Sequence, residues 1–186
     1  DTTVAVQFRA ACVKVDITPD TPQWLHGYAP RRSEGVHDRI YHRIAAMDDG
    51  ATTFYLVSTD ICTVVPSFYD AFCKKLEREA GIKPTQVWWS TTHTHSAPHV
   101  GPQTLGRLFA RTLGDRFSIR HDTAYWERVT DLLVSGIRQA KSELEPARLG
   151  IGTGTAQANV NRRERKADGR IVLGVNPDGP VDRQLG

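Results

Sequence analysis

Three consecutive segments between residues 53 and 92 constrain the fold more than any other feature of this chain. Residues 53–58 are a nearly unbroken apolar run, which is typical of a fully buried strand. Apolar residues then recur at helical spacing from Pro66 as far as Gly81, which predicts a helix. Residues 86–92 return to a strand-like composition. Because a strand, a helix and a strand in this order form a right-handed crossover, the two strands are predicted to lie parallel.

The segments around this unit extend the prediction to a mixed sheet flanked by helices, an α/β fold. Residues 4–15 and 39–47 predict strands, and the Asp-Asp-Gly sequence at 48–50 predicts a hairpin turn. Residues 122–140 have helical spacing behind a capping Asp or Thr. Residues 149–155 predict a further strand that carries three glycines on one face.

Length and composition indicate one globular domain over residues 1–186. Hydrophobic residues make up 39% and charged residues 24%, which excludes a disordered chain. No apolar run approaches the ~20 residues that a membrane-spanning helix needs, and contact with a membrane surface stays open. Three cysteines without a Cys-x-x-Cys pair argue against a disulfide framework and against a thiolate zinc site.

Charge and chain ends add further expectations. The formal net charge is +3, and acidic neighbours dilute the basic run at 161–166, which indicates a solvated loop and no nucleic-acid partner. The first ten residues contain no signal peptide, so a secreted or periplasmic location is expected only if one has been removed. Residues 173–186 end as a strand, a turn and the beginning of another strand. The chain is therefore expected to be an incomplete fragment.

The sequence Thr-His-Thr-His-Ser-Ala-Pro at residues 92–98 is the main candidate for chemistry. If residues 87–92 form a strand, alternation places His93 and His95 on one side of its C-terminal end, where sites of α/β sheets lie. Two imidazoles can share a metal ion, or one can bind the metal while the other transfers a proton. The alternative is a chance spacing in a polar loop. The nearby serines lie in no Gly-x-Ser-x-Gly elbow, which makes serine catalysis the weaker case.

Five further residues are candidates for the surroundings of this site. Asp60 follows the neighbouring strand, so its carboxylate is a metal or second-shell candidate, and capping of the following turn is the alternative. His37 and His99 lie in loops that could reach the same edge, and packing or surface roles are their alternatives. Asn161 and Arg162 could clamp an oxyanion, a carboxylate or a phosphate, against the alternative of a surface arginine.

Taken together, these residues resemble the neutral ceramidase family, the zinc-dependent neutral/alkaline non-lysosomal ceramidases. The resemblance extends from about Ala11 to the last residue, and its pieces occur in family order. The most specific piece is Thr-His-Thr-His-Ser-x-Pro. The others are Val-Asp-Ile-Thr at 15–18, Gly-Tyr at 27–28, Gly-Val-His-Asp-Arg at 35–39, Ser-Thr-Asp at 58–60 and Asn-Val-Asn-Arg at 159–162.

The resemblance implies the N-terminal part of an α/β catalytic domain, with twisted sheets and flanking helices, that hydrolyses the N-acyl amide of a lipid substrate. It implies one Zn²⁺ held by two histidines, a glutamate and a tyrosine, and His93 matches the first of these histidines. His95 matches the family residue that handles a proton or stabilises the oxyanion. Arg162 matches the arginine that helps bind the scissile group. The remaining zinc ligands are expected after Gly186.

The chain also departs from the family pattern. Ala97 stands where the family usually has glycine, and His99 and Val100 replace later glycines, so these bulkier residues are expected to reshape the pocket. The Arg-rich segment 106–120 lacks the apolar character expected at a lipid entrance. These departures leave open a different amide and an acidic carbohydrate cleaved by a metal-assisted hydrolase or lyase. Because most of the family's zinc ligands are not in this chain, a non-catalytic binding module on the same scaffold is a third alternative.

Overall fold

The computed structural model describes residues 7–27, 31–100, 111 and 122–186. The chain divides into two compact units, Asp1–Ala147 and Arg148–Gly186. The single domain predicted for residues 1–186 stays a prediction. Within the described part of the chain, no helix combines the length and the apolar character that crossing a membrane requires.

The first unit is built on a five-stranded sheet with the order β6-β5-β4-β1-β7. Strands β4, β1 and β7 pair antiparallel, and so do β4 and β5, whereas β5 and β6 are parallel. The strands of this unit are β1 Arg9–Asp16, β2 Trp24–Leu25, β3 Arg31–Arg32, β4 Tyr41–Asp48, β5 Thr53–Thr59, β6 Val87–Thr91 and β7 Glu145–Pro146. The predicted α/β class and the mixed sheet are therefore confirmed.

Among the described residues, this unit also contains the helices α1 Pro66–Ala80 and α2 Thr123–Ser142. Helix α1 begins with proline at its first turn and ends at Gly81, whose φ of 67° is left-handed. The Asp122 side chain caps α2 by accepting a hydrogen bond from the Tyr125 amide. Both helices pack on one face of the sheet, where their apolar residues enclose a core with alternate residues of β4 and β5. The parallel pair β5–β6, joined through α1, is the crossover predicted from the sequence.

The second unit contains short antiparallel pairs. Strand β9 Arg163–Arg165 pairs with β10 Ile171–Leu173, and β8 Gly154–Thr155 pairs with β11 Gln184–Leu185. The strand predicted over residues 149–155 is wrong except for its last two residues. Glycine at every second position lowers strand propensity, and the Ile151 side chain is 88% exposed, so no burial compensates for the entropy lost.

A buried histidine in the core of the first unit gives a testable pH dependence. The His42 ring is fully buried between Thr59 Oγ1, 2.7 Å from Nδ1, and the Val129 carbonyl, 2.9 Å from Nε2. Burial lowers the pKa of His42 from 6.5 to about 4, because the neutral ring alone suits this environment. The unfolded chain therefore binds more protons than the fold between pH 6.5 and 4, and stability is lost as the pH falls through this window.

We expect the free energy of unfolding to fall by about 2 kcal/mol from His42 alone between pH 7 and pH 5. Urea denaturation at the two pH values measures this difference. His42→Gln keeps a hydrogen-bonding side chain but does not titrate. The free energy of unfolding of this variant should therefore fall by about 2 kcal/mol less between pH 7 and pH 5 than that of the parent. An equal pH dependence in the variant and the parent would contradict the assignment.

Candidate metal centre

His93 lies just past the end of β6, where the chain leaves the sheet in a strained conformation. The Thr92 amide still donates to the Thr59 carbonyl at 2.9 Å, and the His93 amide donates to the Ile61 carbonyl at 3.1 Å. His93 has a φ of 59°. Among the described residues, it is the one non-glycine residue whose φ is positive. Positive φ at a non-glycine residue costs free energy and concentrates at functional sites.

The His93 ring is oriented by the chain that follows β5. Its Nδ1 lies 2.9 Å from the carbonyl oxygen of Cys62, so Nδ1–H donates to that carbonyl. This tautomer leaves the lone pair of Nε2 available to a metal, which is the usual arrangement of a ligating histidine. The Cys62 Sγ lies 3.7 Å from the same Nδ1.

His95 brings its own Nε2 to the same place. The Nε2 atoms of His93 and His95 are 3.4 Å apart, and the two rings meet edge to face with centroids 5.0 Å apart. Two nitrogen ligands of a tetrahedral zinc ion are about 3.3 Å apart, given Zn–N bonds of about 2.0 Å. The separation therefore fits one ion shared by both rings, and it also fits a metal on His93 with His95 beside it.

Strand alternation does not produce this arrangement. Strand β6 ends at Thr91, two residues before His93, and the left-handed turn at His93 directs the chain that carries His95. The two rings converge because of this turn and because of contacts from Gly27 and Arg31.

Gly27 and Arg31 both contact His95. A Cβ atom on Gly27 would lie 2.2 Å from His95 Nδ1 and 2.5 Å from Cγ, so the imidazole packs directly against the Gly27 backbone. Gly27 also has a φ of 105°, which side chains of L-residues rarely adopt. The Arg31 guanidinium donates to the His95 carbonyl.

The strand β2 fixes the end of the histidine motif. The His99 amide donates to the Trp24 carbonyl at 2.7 Å, and the His26 amide donates to the Ala97 carbonyl at 3.2 Å. The Nδ1 atoms of His26 and His99 are 3.1 Å apart. Burial, and then the proximity of His95 and His93, lower the pKa of His26. His26 thus favours the neutral form beside the candidate site.

The metal-ligand atoms of Cys62, His93 and His95 all lie within 4.8 Å of one another. Sulfur and imidazole nitrogen are the donors that zinc prefers. The tautomer of His93, with Nδ1 bonded to the Cys62 carbonyl and Nε2 left available, fits the zinc ligand that the resemblance assigns to this residue.

Asp60 lies at the same edge of the sheet but is engaged elsewhere. Its Oδ2 accepts hydrogen bonds from the Tyr41 amide at 3.0 Å and from the Arg43 guanidinium at 2.7 Å. The carboxylate therefore joins the end of β5 to β4 and is not part of the group formed by Cys62 and the two histidines. A second-shell role for Asp60 stays a prediction.

His37 belongs to the first unit, and Asn161 and Arg162 belong to the second. His37 is exposed, lies 2.9 Å from the Asp38 carboxylate and lines a groove of about 840 Å³. Arg162 donates through Nε to the Gly174 carbonyl at 2.7 Å. Asn161 donates to the Pro180 carbonyl. The substrate-binding or supporting roles of His37 and Asn161, and the catalytic role of Arg162, stay predictions.

A comparison of the sequence with protein families decides the classification. The sequence model described as "Neutral/alkaline non-lysosomal ceramidase, N-terminal" matches residues 8–167. The chain belongs to this ceramidase family. The resemblance seen in the sequence is thereby confirmed. A comparison with curated proteins gives no match.

Solved ceramidases share the fold. The crystal structure of neutral ceramidase from Pseudomonas aeruginosa is similar with a TM-score of 0.69 and 22% identity, over 85% of this chain and 25% of that one. A structure described as ceramidase complexed with C2 gives a TM-score of 0.67, with the same identity and coverage. The chain thus spans about a quarter of the length of these ceramidases.

The residues that depart from the ceramidase pattern at positions 97, 99 and 100 are buried. Ala97 and Val100 are buried in a cluster of apolar residues beneath the motif, and His99 is only 5% exposed. The bulkier residues therefore pack against the core of this ceramidase-family chain. Apart from Arg111, the Arg-rich segment 106–120 lies outside the described residues.

Four residues contact the site although the sequence analysis did not place them there: Cys62, His26, Gly27 and Arg31. The Gly-Tyr piece at 27–28 was the available signal for Gly27, because it belongs to the family pattern. For the other three, no local pattern distinguishes them from residues elsewhere in the chain.

Proposed function

We propose that this chain is the N-terminal part of a zinc-dependent hydrolase of the neutral ceramidase type, which cleaves the N-acyl amide of ceramide or a related lipid. The observation that carries the proposal is the convergence of His93 and His95, with Nε2 atoms 3.4 Å apart, in a member of the ceramidase family. Because the chain spans a quarter of solved ceramidases, the remaining zinc ligands are proposed to follow Gly186.

His93 is proposed to hold the zinc ion through Nε2. Its Nδ1–H bond to the Cys62 carbonyl fixes the tautomer and the ring orientation that ligation needs. Zinc, when bound, supplies a water of lowered pKa and polarises the substrate carbonyl. The strained backbone at His93 is consistent with a position selected for the site and not for stability.

His95 is proposed to transfer the proton between the water and the leaving amine. A general acid–base group needs a side chain that can both take up and release a proton, and a fixed position, and imidazole meets the first condition. Contact with Gly27 and the Arg31 bond to its carbonyl meet the second. Arg162 is proposed to orient the substrate or to stabilise the oxyanion.

The groove of about 840 Å³ is the proposed entrance for the substrate within the first unit. Its lining includes Thr94 and Ser96, which flank His95, and the apolar side chains of Leu25 and Ile40. The lining also carries charged side chains, among them Arg31, Arg32 and Glu34, so it offers both apolar and polar contacts to an amphipathic amide.

Assays of the complete protein against ceramides and against uronate-containing glycans test the proposal. We expect release of fatty acid from ceramide, loss of this activity after chelation, and recovery when zinc is added back. Full ceramide turnover in metal-free protein would contradict the zinc mechanism. Glycan cleavage without ceramide turnover would favour the acidic-carbohydrate alternative, and bound zinc without either activity would favour the binding module.

A further inference from the structure

Two histidines that the proposed reaction does not use, His26 and His99, contact each other beside the candidate metal centre. Their Nδ1 atoms are 3.1 Å apart, and the two rings meet edge to face with centroids 4.6 Å apart. His99 is buried and His26 is half-buried. Because one neutral imidazole can donate through Nδ1 while the other accepts, the distance fits an Nδ1–H···Nδ1 hydrogen bond.

The backbone places these two side chains together. Leu25 and Pro98 form an antiparallel β-bridge. The amides of His26 and His99, one residue further along each segment, donate to carbonyls of the opposite segment at 3.2 and 2.7 Å. In this pairing the two histidines are diagonal neighbours, so their side chains leave the bridge on the same face and within reach of each other. The side-chain bond therefore adds a further link to a short bridge.

This bridge joins the two segments that meet at the His95 ring. Gly27 follows His26 directly in the chain, and a Cβ atom on Gly27 would lie 2.2 Å from His95 Nδ1. His95 itself lies in the segment that leads to His99. A hydrogen bond between His26 and His99 therefore restrains the Gly27 backbone relative to the ring that packs against it.

The ordinary explanation for a buried histidine, filling space, does not account for this contact. Burial lowers the pKa of His26, and the nearby His95 and His93 lower it further, which favours the neutral ring with one N–H and one lone pair. Two nitrogens at 3.1 Å without a shared hydrogen would oppose two lone pairs or two N–H groups. The ceramidase pattern usually has glycine at position 99, so the pair is a feature of this chain.

We propose that the hydrogen bond between His26 and His99 positions the His95 ring for proton transfer by holding the Gly27 backbone against it. The inference rests on the proposed function, since it concerns the residue that is proposed to carry the proton. Neither His26 nor His99 lines the groove or belongs to the group of candidate metal-ligand atoms. Both are therefore positioning residues.

A matched pair of substitutions in the complete protein tests the hydrogen bond. His26→Asn keeps a polar atom on Cγ, close to the place of Nδ1, whereas His26→Leu removes the bond and keeps a branched side chain. Crystal structures should show the His95 ring moved away from Gly27 in His26→Leu and in place in His26→Asn. His99→Leu breaks the same bond from the other side and should move the ring as well. An unmoved ring in the leucine variants would overturn the proposal.

Kinetics then assign the effect to His95. Misplacement of a reacting group by about 1 Å can cost about 100-fold in rate, and the backbone bonds of the bridge remain, so His26→Leu should lose about 10-fold in kcat. KM and zinc content should not change, and His26→Asn should recover most of the loss. In a His95→Ala background, His26→Leu should lower kcat no further, because no ring remains to be positioned. Equal losses in both backgrounds would contradict the proposal.

The outcomes separate this inference from the proposed function. If the parent binds zinc and hydrolyses ceramide while the leucine variants keep its kcat and ring position, the inference fails and the proposed function stands. If the parent hydrolyses no ceramide, the proposed function fails, and the crystal structures alone decide whether the pair positions the ring. If the leucine variants move the ring and lower kcat only while His95 is present, both are supported.

Discussion

Replacing His93 with alanine is expected to abolish metal retention and turnover in the complete protein. The imidazole is the only group of this residue that can bind a cation, and its Nε2 is the atom directed at His95. Loss of residues that merely orient a metal ligand already costs 10- to 100-fold in affinity or activity. Loss of the ligand itself should therefore reduce activity by more than about 100-fold. Elemental analysis after dialysis and a ceramide assay measure the two effects.

A second substitution separates the imidazole from the strained backbone. His93 has a φ of 59°, and asparagine is among the residues that tolerate this conformation best. His93→Asn should therefore unfold at nearly the same urea concentration as the metal-free parent, while it loses metal as completely as His93→Ala. Full activity with no bound metal in either variant would end the zinc hypothesis.

The crossover is the part of the molecule that local patterns could predict, whereas the convergence of His93 and His95 depends on the turn at His93 and not on the strand alternation used to predict it. Helix α1 has a proline at its start and a glycine at its end, and β5 is a buried run, so short-range physics determines both. The prediction failed at residues 149–155, where alternating glycines imitate a strand pattern but offer few side chains to bury.

The surroundings of the histidines depend on tertiary contacts that hydrophobic periodicity in the sequence cannot reveal. Gly27 lies 68 positions before His95 in the sequence, yet its backbone contacts the ring. From the sequence, Cys62 is expected to be an ordinary buried thiol. In the structure, the turn at His93 places the imidazole ring beside it. Asp60 shows the reverse case, because its position at the strand end suggested a ligand while Tyr41 and Arg43 engage its carboxylate.

The contact between Gly27 and His95 leads to the second large effect. In Gly27→Ala, the added Cβ would lie 2.2 Å from His95 Nδ1, well inside contact distance, so the ring must move. Misplacement of a reacting group by about 1 Å can cost about 100-fold in rate. We therefore expect kcat to fall by about 10- to 100-fold, with a changed pH profile because the displaced ring is the proposed proton carrier.

The same substitution at Gly81 serves as a control for the backbone strain that alanine causes at a positive φ. Gly81 also has a positive φ, 67°, but a Cβ there meets nothing within 4 Å. Alanine should cost each position about 1 kcal/mol or more of stability through backbone strain, measured by urea denaturation. Only Gly27→Ala should in addition lower kcat and alter its pH profile, since only this glycine touches His95. If both variants keep the parent's kcat and pH profile, either Gly27 does not position the His95 ring or a group other than His95 transfers the proton, and the proposed role of this contact is wrong in both cases.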